Sequence, residues 1–423
     1  MADVSSEQGR GYRIYVLLIL FLVYTFNFID RQIVGILAGS IKADLGLTDT
    51  QLGLMGGIAF ALLFASLGIP IALLADRFNR VWIVTSALAL WSAFTALCGV
   101  AQGFGQLFLC RIGVGVGEAG GVAPSYSLIS DYFPPQERAR AFAVFSFGIP
   151  VGSAAGILFG GLIAARIDWR MAFFACGVAG LVLAPLMAFT VREPVRGRFD
   201  TPGAAKTAAS PLSEVLKTLS GKRSFWLITF GATSSSTLGY GLAFWLPQFL
   251  ARSFGMTLTE LSLYYSAIAF FGGVLGIWMG GYLADRLGRT RKAAYALVPA
   301  ASFVLSIPFY AAGMLSTSAA LAFILFLIPS ALGLVWLGPV IPSIQHLVPP
   351  AMRATASAIF LFVNNLLGIG FGIFFFGKMS DLLGARFGAE SLRYSILIGL
   401  VFYVLAATLL FLASRRLERD WYR

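Results

Sequence analysis

The stretch 76–80, Asp-Arg-Phe-Asn-Arg, recurs in kind at 285–289 as Asp-Arg-Leu-Gly-Arg. Each copy follows one long apolar run and precedes another, and the copies lie 209 positions apart in a chain of 423 residues. A second pair agrees, because 134–141 (PPQERARA) returns 215 positions later as 349–356 (PPAMRATA). Two motifs that return in the same order at nearly the same distance predict a tandem duplication of a helical unit of roughly 200 residues.

Composition places this duplicated unit in lipid. Hydrophobic residues make up 58% of the chain and charged residues 12%, and the mean hydropathy is +0.83, which excludes an ordinary soluble domain. Twelve apolar stretches are long enough to cross a hydrocarbon core, at approximately 14–39, 50–75, 81–103, 105–130, 139–164, 170–190, 224–250, 258–284, 293–312, 317–346, 354–379 and 392–413. We therefore predict an all-α polytopic membrane protein, with twelve transmembrane helices in two pseudo-symmetric six-helix bundles.

One long hydrophilic segment separates the two bundles. We predict a first bundle at 1–190, a cytoplasmic linker at 191–223 and a second bundle at 224–423. Within the linker, leucine and valine recur at helical spacing between Leu212 and Leu219. That pattern predicts a short helix lying on the membrane surface.

Lys and Arg are unevenly distributed between the predicted loops. With both termini in the cytoplasm, basic residues on the cytoplasmic side outnumber those on the other side by about three to one, as is typical of membrane proteins. The net charge of +12 is then explained by topology and by contact with anionic headgroups, and it does not indicate nucleic-acid binding. The first apolar run is too long for a signal peptide, so we expect it to be retained.

Four ionisable residues lie inside predicted spans. Asp30 and Arg31 are in the first span, and Arg111 and Glu118 are in the fourth. A charge at the bilayer centre costs several kcal/mol unless it is paired or faces water, so these residues are expected to meet across the two helices. One interpretation is a set of structural ion pairs. The other is proton coupling, because making and breaking arginine contacts changes the proton affinity of a carboxylate.

We favour proton coupling, because four such groups lie at matched depth. Asp30 is then predicted to be the main protonation site. Glu118 is predicted to be a second site, or the partner that releases Arg31 or Arg111. Asn27 shares a helical face with Asp30 and joins the candidate site.

The duplicated motif follows the second helix of each predicted bundle, at its cytoplasmic mouth. An Asp at a helix end that pairs with an Arg of a nearby loop would make a latch that opens for access from the cytoplasm. The alternative is that the arginines are topology signals only, which leaves the repeated Asp unexplained. The candidate gate residues are Asp76, Arg77, Arg80, Arg138, Asp285, Arg286, Arg289 and Arg353.

The second half has no comparable ion cluster but is rich in hydroxyl, amide and aromatic side chains. A cavity between the halves would be charged on one wall and polar-aromatic on the other, which suits an amphiphile. The alternative is that the aromatic rings face lipid. The candidate cavity residues are Ser234, Ser235, Trp245, Phe360, Asn364 and Asn365.

Twelve predicted helices in two repeats, with Gly-Tyr-Leu-Ala-Asp-Arg-Leu-Gly-Arg at 281–289, resemble the major facilitator superfamily. Narrower features resemble the Spinster family within it. They are Asn27 with Asp30 and Arg31, the motif at 76–80, RIGVGVGEA at 111–119, FGIPVGS at 147–153, DWR at 168–170, VREP at 191–194 and WLP at 245–247. The short termini and compact loops resemble a bacterial homologue.

The resemblance implies a secondary transporter that works by alternating access and moves lysophospholipids or phosphorylated sphingoid bases. It also implies protonation at Asp30 and Glu118, with Arg31 and Arg111 as their partners or as contacts for an anionic headgroup. The partners expected on this basis are an amphiphilic lipid substrate, protons and membrane lipids. We further expect a monomer in the bacterial inner membrane.

Three other functions remain open. A proton-coupled carrier of small organic anions or drugs fits the same cluster. A membrane-embedded lipid enzyme is disfavoured, because the chain has one His, no Ser-His-Asp grouping and no His-based metal set. A passive channel has no use for two duplicated gates. Cys98, Cys110 and Cys176 lack metal-ligand spacing, so we predict no metal site. We also predict no cofactor, and we predict that the chain is not an enzyme.

Overall fold

The structure is a computed structural model that describes residues 9–199, 211–288 and 291–422, without the side chains of Ala139 and Asp285. Every regular element within these described ranges is a helix. The predicted all-α fold is therefore confirmed.

Six helices, α1 to α6, form the first half of the chain. Their bounds are Arg10–Leu45, Asp49–Arg77, Arg80–Cys98, Phe104–Tyr132, Pro135–Arg166 and Trp169–Thr190. Turns of two to five residues join them, so consecutive helices run in opposite directions. The side of the membrane at which α1 begins is named the terminal face below, and the opposite side the far face.

A short helix, α7 (Leu212–Ser220), precedes the second half. Six more helices, α8 to α13, follow it, with the bounds Arg223–Phe254, Leu258–Gly288, Ala294–Leu315, Ala319–Gln345, 350–387 and 391–420. Gly388, whose φ is 55°, ends α12 in a backbone conformation that favours glycine. Helix α13 then runs back alongside α12. The Ser395 hydroxyl joins the two helices by donating to the Phe376 carbonyl oxygen over 3.0 Å.

By length and composition, ten helical stretches of the described chain are able to cross a membrane. One of them, Pro350–Asp420, has 71 residues and contains both α12 and α13. Helix α8 is long enough but is not among the ten, because the polar run 233–237 lowers its hydropathy. Counted as helices, the described elements form twelve crossings, six in each half, in agreement with the predicted spans.

A stripe of glycines on α5 holds it directly against α1. A Cβ added to Gly152 would lie 2.3 Å from the carbonyl oxygen of Thr25, and one added to Gly156 would lie 2.7 Å from that of Ile29. Only glycine permits backbones to approach this closely. The stripe fixes the rotation of α1 and therefore the direction in which Asp30 and Arg31 point.

Three pairs of helices join the two halves: α1 with α8, α2 with α12, and α5 with α9. Glycines again set the approach. A Cβ on Gly57 of α2 would lie 2.7 Å from the Gly370 carbonyl oxygen of α12. A Cβ on Gly161 of α5 would lie 1.8 Å from the Ser262 hydroxyl oxygen of α9. Since α1 is one of the contacting helices, the charged residues of the first half lie next to the boundary between halves.

Candidate functional site

The ionisable residues of α1 and α4 meet inside the membrane. Arg31 Nε donates to Glu118 Oε2 over 2.8 Å. The Glu118 side chain is fully buried, whereas 12% of the Arg31 side chain is exposed. Removing one partner of a buried ion pair leaves an uncompensated charge, at a cost of about 3–5 kcal/mol. Arg31 is thus the member of the pair that solvent or a ligand in the interior can reach.

Three phenylalanine rings surround the Arg31 guanidinium. Its Cζ lies 5.1 Å from the ring centroids of both Phe28 and Phe60, and 4.6 Å from that of Phe64. Cation–π contacts of this kind stabilise a partly desolvated cation by about 0.5–2 kcal/mol. The rings therefore stabilise the guanidinium cation beside Glu118.

Asp30, Asn27 and Arg111 lie beside this pair, and each is 2% exposed. Arg111 and Glu118 are close enough to Asp30 to interact with it electrostatically. Asp30 Oδ1, Arg111 Nε and both polar atoms of the Asn27 side chain make no hydrogen bond within the described residues. Buried charges with an incomplete set of partners are the groups that exchange partners or protons. The carboxylates and arginines of this cluster are therefore suited to forming two alternative sets of ion pairs.

Small residues on α4 explain why Glu118 is buried so deeply. A Cβ on Gly115 would lie 2.5 Å from the Phe60 carbonyl oxygen of α2, and one on Gly117 would lie 2.6 Å from the Trp91 backbone nitrogen of α3. Helix α4 is thus clamped between α2 and α3, with Glu118 on its buried side. The repeated glycines at 113–121 are the sequence signal of this close packing.

The candidate cavity residues of the second half are mostly buried in its core. The Ser236 hydroxyl donates to Asn364 Oδ1 over 2.9 Å, which joins α8 to α12. Trp245 Nε1 donates to the Ile373 carbonyl oxygen over 2.8 Å, and the Phe360 ring lies 6.4 Å from that of Trp336. These side chains therefore hold helices together.

Among the six candidates, Asn365 alone is half-buried. The other five, Ser234, Ser235, Trp245, Phe360 and Asn364, are buried. Tyr240 of α8, which sequence analysis missed, is also half-buried. It is close enough to interact electrostatically with Arg31. Asn365 and Tyr240 are thus the better candidates for the second-half wall of a cavity.

Arg80, a predicted gate residue, instead holds the linker to the first half. It is 2% exposed, and its Nη1 and Nε pair with Asp131 Oδ2 and Glu193 Oε1 over 2.5 and 2.7 Å. Arg196 of the linker donates to the carbonyl oxygens of Asp76 and Phe78. Charge-assisted hydrogen bonds are the stronger kind, so this network fixes where the linker leaves the bundle.

The Asp131→Asn variant tests this assignment. We expect the free energy of unfolding to fall by about 1–3 kcal/mol. Asparagine fills the same space as aspartate, but buried Arg80 loses one of its two negatively charged partners. The measurement is thermal unfolding in detergent, with a lower midpoint than the unaltered protein. Asp76→Asn is the matched control, since the Asp76 carboxylate is exposed. Equal midpoints for both variants would contradict a stabilising role for the network.

Arg138 and Arg353 make the same hydrogen bond in the two halves. Arg138 Nε donates to the Ser130 carbonyl oxygen over 3.0 Å, and Arg353 Nε donates to that of Gln345 over 3.1 Å. Ser130 and Gln345 are 215 positions apart, as are the two arginines. Each arginine therefore caps the carbonyl end of the preceding helix, where a cation is favourable.

Three other gate candidates, Asp76, Arg77 and Arg286, lie at the terminal face. Asp76 and Arg77 are exposed, and the Asp76 carboxylate makes no ion pair with another described residue. Arg286 Nη1 donates to the Tyr282 hydroxyl over 2.7 Å. The side chain of Asp285 and all of Arg289 lie outside the described residues. A latch formed by the duplicated aspartates stays a prediction.

A polar cluster that sequence analysis missed joins the halves at the far face. Asp49, the first residue of α2, has a side chain 3% exposed and accepts from both terminal nitrogens of Arg252 on α8, each over 2.7 Å. Lys42 Nζ of α1 and Ser380 Oγ of α12 also donate to it, over 2.5 and 2.7 Å. This cluster is named the far-face clasp and consists of Lys42, Asp49, Thr50, Arg252, Ser380 and Asp381.

Asp381 completes the far-face clasp from α12. Its carboxylate accepts from the backbone N–H groups of Asp49 and Thr50, over 3.2 and 2.7 Å. A residue of the second half thus caps the N-terminus of a helix in the first half, where an anion is favourable. Separation of the halves at the far face would break both the ion pair and this cap.

The sole histidine lies at the terminal face. The His346 ring stacks on Trp421, with centroids 4.7 Å apart and planes inclined by 15°. Burial, together with the nearby charges of Arg353 and Lys292, lowers the pKa of His346 below its usual value. The imidazole is therefore mainly neutral at pH 7.

Comparison with known proteins identifies the family to which this helical fold belongs. The family model of the Major Facilitator Superfamily matches residues 20–372. Protein spinster homolog 1 of Xenopus tropicalis is 30% identical over 393 residues, which cover 88% of this chain and 74% of that protein. The chain belongs to the major facilitator superfamily and to its Spinster-like branch.

Two further relatives of this Spinster-like chain are informative. An MFS-type efflux pump of Mycolicibacterium smegmatis is 35% identical over 409 residues, covering 95% of this chain and 92% of that protein. A solved structure of a bacterial homologue of the human lysosomal transporter Spinster, inward-facing and unoccupied, matches with a TM-score of 0.89 and 32% identity. It covers 98% of this chain and 99% of that one. The Spinster-like chain is thus a multi-pass membrane transporter of the major facilitator fold and not an enzyme.

Proposed function

We propose that this Spinster-like transporter couples proton movement to the transport of a lysophospholipid or sphingoid-phosphate-like amphiphile by alternating access. The observation that carries the proposal is the buried pair of Arg31 and Glu118, in which the cation is partly exposed and the carboxylate is not. A site that presents a cation to the interior is suited to an anionic headgroup. The carboxylate of Glu118 supplies the coupling, because it can bind a proton when it no longer pairs with Arg31.

The proposed cycle uses the two carboxylates in turn. While Glu118 is charged, it holds Arg31 through the 2.8 Å contact. A proton on Glu118 removes that attraction and leaves the Arg31 guanidinium free to bind a phosphate. Asp30, which lies near Arg111, is the main protonation site in this proposal. Its charge state decides whether Arg111 is compensated, and therefore which arrangement of α1 and α4 is favoured.

The amphiphile is proposed to lie between the halves. Its headgroup contacts Arg31 and Arg111, and its tail runs along the second half. Tyr240 and Asn365 are the half-buried side chains that support a polar-aromatic wall there. Such a pocket suits a ligand with one charged end and one apolar end.

Alternating access is proposed to use the far-face clasp as one gate and the duplicated motifs at the terminal face as the other. The contacts of Asp49 with Arg252 close the far face. We propose that the terminal face is cytoplasmic in a bacterial inner membrane, because basic residues concentrate there. The transporter is proposed to work as a monomer.

Reconstitution into liposomes with an imposed pH difference and a labelled lysophospholipid tests this function. We expect transport that the pH difference stimulates and a protonophore abolishes. The Arg31→Gln variant is expected to bind lysophospholipid at least tenfold more weakly, because a charge-assisted contact to phosphate is lost. Arg166→Gln, an exposed arginine at the far face, is the control and should bind normally.

A second candidate function is proton-coupled export of drugs or small organic anions. The Mycolicibacterium smegmatis relative at 35% identity, an MFS-type efflux pump, favours it. Competition binding experiments distinguish the two candidate functions. Substrate binding that short carboxylates or drugs displace, and that lysophospholipid leaves unchanged, would replace the lipid proposal with this one.

A further inference from the structure

Two of the three cysteines lie on adjacent helices near the far face. Cys98 is the last residue of α3, and Cys110 lies in the second turn of α4. A turn at 99–103 joins these helices, which therefore run in opposite directions. Cys98 is fully buried, whereas Cys110 is half-buried. Both carry free thiols in this structure, so the pair is open to oxidation.

The packing of α4 on α3 sets the register of this pair. A Cβ on Gly117 would lie 2.9 Å from the Trp91 Cα, so the two backbones are in contact there. Cys98 follows Trp91 by seven positions, and Cys110 precedes Gly117 by seven. Seven residues are about two helical turns, so each cysteine lies on the contacting face of its own helix. The two thiols are therefore brought together, and they are close enough to interact with each other.

The close packing continues from this contact towards the cysteines. One turn nearer to them, a Cβ on Gly113 would lie 2.4 Å from the Phe94 ring. Helix axes about 8–10 Å apart bring facing Cα atoms to within the roughly 4.4–6.8 Å that a disulfide spans. Arg170 Nη2 of α6 donates to the Ala101 carbonyl oxygen over 3.2 Å and holds the turn that follows α3. The geometry of the pair is thus supported from both sides.

The thiol pair also lies beside the ion cluster. Arg111 directly follows Cys110, and it is close enough to both thiols to interact with them electrostatically. Asp30 is close enough to Cys98 to do the same. A covalent bond between the cysteines would therefore hold the turn of α4 that carries Arg111 against α3.

We propose that Cys98 and Cys110 are a site of oxidative modification that closes into an intramolecular disulfide. The oxidant is hydrogen peroxide, which is small and uncharged and can reach a half-buried thiol. The Cys110 sulfur forms a bond to one peroxide oxygen, the O–O bond breaks, and one water leaves. The Cys98 sulfur then attacks the resulting sulfenic acid, the S–O bond breaks, and a second water leaves as the S–S bond forms. Each thiol gives up one hydrogen, and the peroxide is reduced to two waters.

Peroxide treatment of the whole purified protein, followed by maleimide labelling of the unfolded chain, tests the proposal. We expect labelling to fall from the three thiols of the chain to the thiol of Cys176 alone, and dithiothreitol to restore it. Peptide mapping should find Cys98 joined to Cys110 in a chain that stays monomeric on a non-reducing gel. Amide hydrogen exchange around Arg111 should slow at least about twofold on oxidation, because the bond opposes local opening of α4. These measurements do not depend on the identity of the transported substrate.

The third cysteine provides the matched control. Cys176→Ala keeps the pair and should still form the cross-link. In Cys98→Ala the sulfenic acid of Cys110 has no thiol to react with, so dimedone should trap it. In Cys110→Ala the fully buried Cys98 should stay unmodified. Labelling of all three thiols after peroxide treatment, a cross-link between two chains, or a dimedone adduct on Cys176 instead of Cys110 would overturn the proposal.

Discussion

Proton-driven accumulation is expected to disappear in the Asp30→Asn variant while substrate binding persists. Asparagine has the shape of aspartate, but its amide does not gain or lose a proton between about pH 4 and pH 10. The interior therefore loses its main proposed protonation site. Each proton that moves down a gradient of one pH unit supplies 1.36 kcal/mol, which supports about tenfold accumulation. The variant should therefore only equilibrate its substrate across the membrane. The measurement compares labelled substrate in proteoliposomes with and without a pH difference.

Asp44→Asn is the matched control for this result. Asp44 lies near the far end of the same helix and pairs with Arg170 over 2.5 Å at the surface. Loss of that exposed pair should leave stimulation by the pH difference intact, because surface ion pairs contribute little. If Asp30→Asn retained full gradient-driven accumulation, Asp30 would be a structural residue and coupling would have to be sought at Glu118.

Opening of the far face is the second large effect that we expect, in the Asp49→Ala variant. Asp49 accepts hydrogen bonds from Arg252, Lys42 and Ser380, which belong to three other helices. Removing one partner of a buried charged pair costs about 2 kcal/mol or more, and that cost falls only on the closed state. The ratio of open to closed far face should rise about thirtyfold.

Spin labels at Ala43 and Ala389, which are exposed at the far face on opposite halves, provide the measurement. We expect the distance distribution between the labels to gain a longer component in Asp49→Ala. The exchanged pair Asp49→Arg with Arg252→Asp should restore part of the short component, because it recreates the attraction in reverse. Identical distributions in the unaltered protein and in Asp49→Ala would show that the clasp does not hold the halves together.

Much of the fold was predictable, because hydropathy and repeats act locally. Each span required only about 20 apolar residues in a row, which the chain records directly. The repeat offset of 215 even extends to hydrogen bonds, since Arg138 and Arg353 cap carbonyl groups at the same spacing. The proximity of Arg31 to Glu118 was also expected, because charges in lipid need partners at the same depth.

Other features depended on contacts that no local pattern reveals. Asp49, Arg252 and Asp381 each look like ordinary polar residues at the ends of apolar runs. Their significance arises because two halves about 200 residues apart in sequence come together at one face. Arg80 belongs to a motif that predicted a gate, but the linker folds back and supplies Glu193 as its partner. Trp245 and Phe360 were cavity candidates by type, whereas packing places them in the core.

The amino-acid sequence by itself determined the membrane-spanning architecture, the duplication and the presence of costly charges in the first half, because burial in lipid imposes strict limits on composition. Only the tertiary structure decided which charges share a partner, which arginine is reachable, and where the halves are fastened. These properties depend on the relative rotation and separation of helices, which glycine contacts such as that of Gly152 with Thr25 set to within a few ångströms.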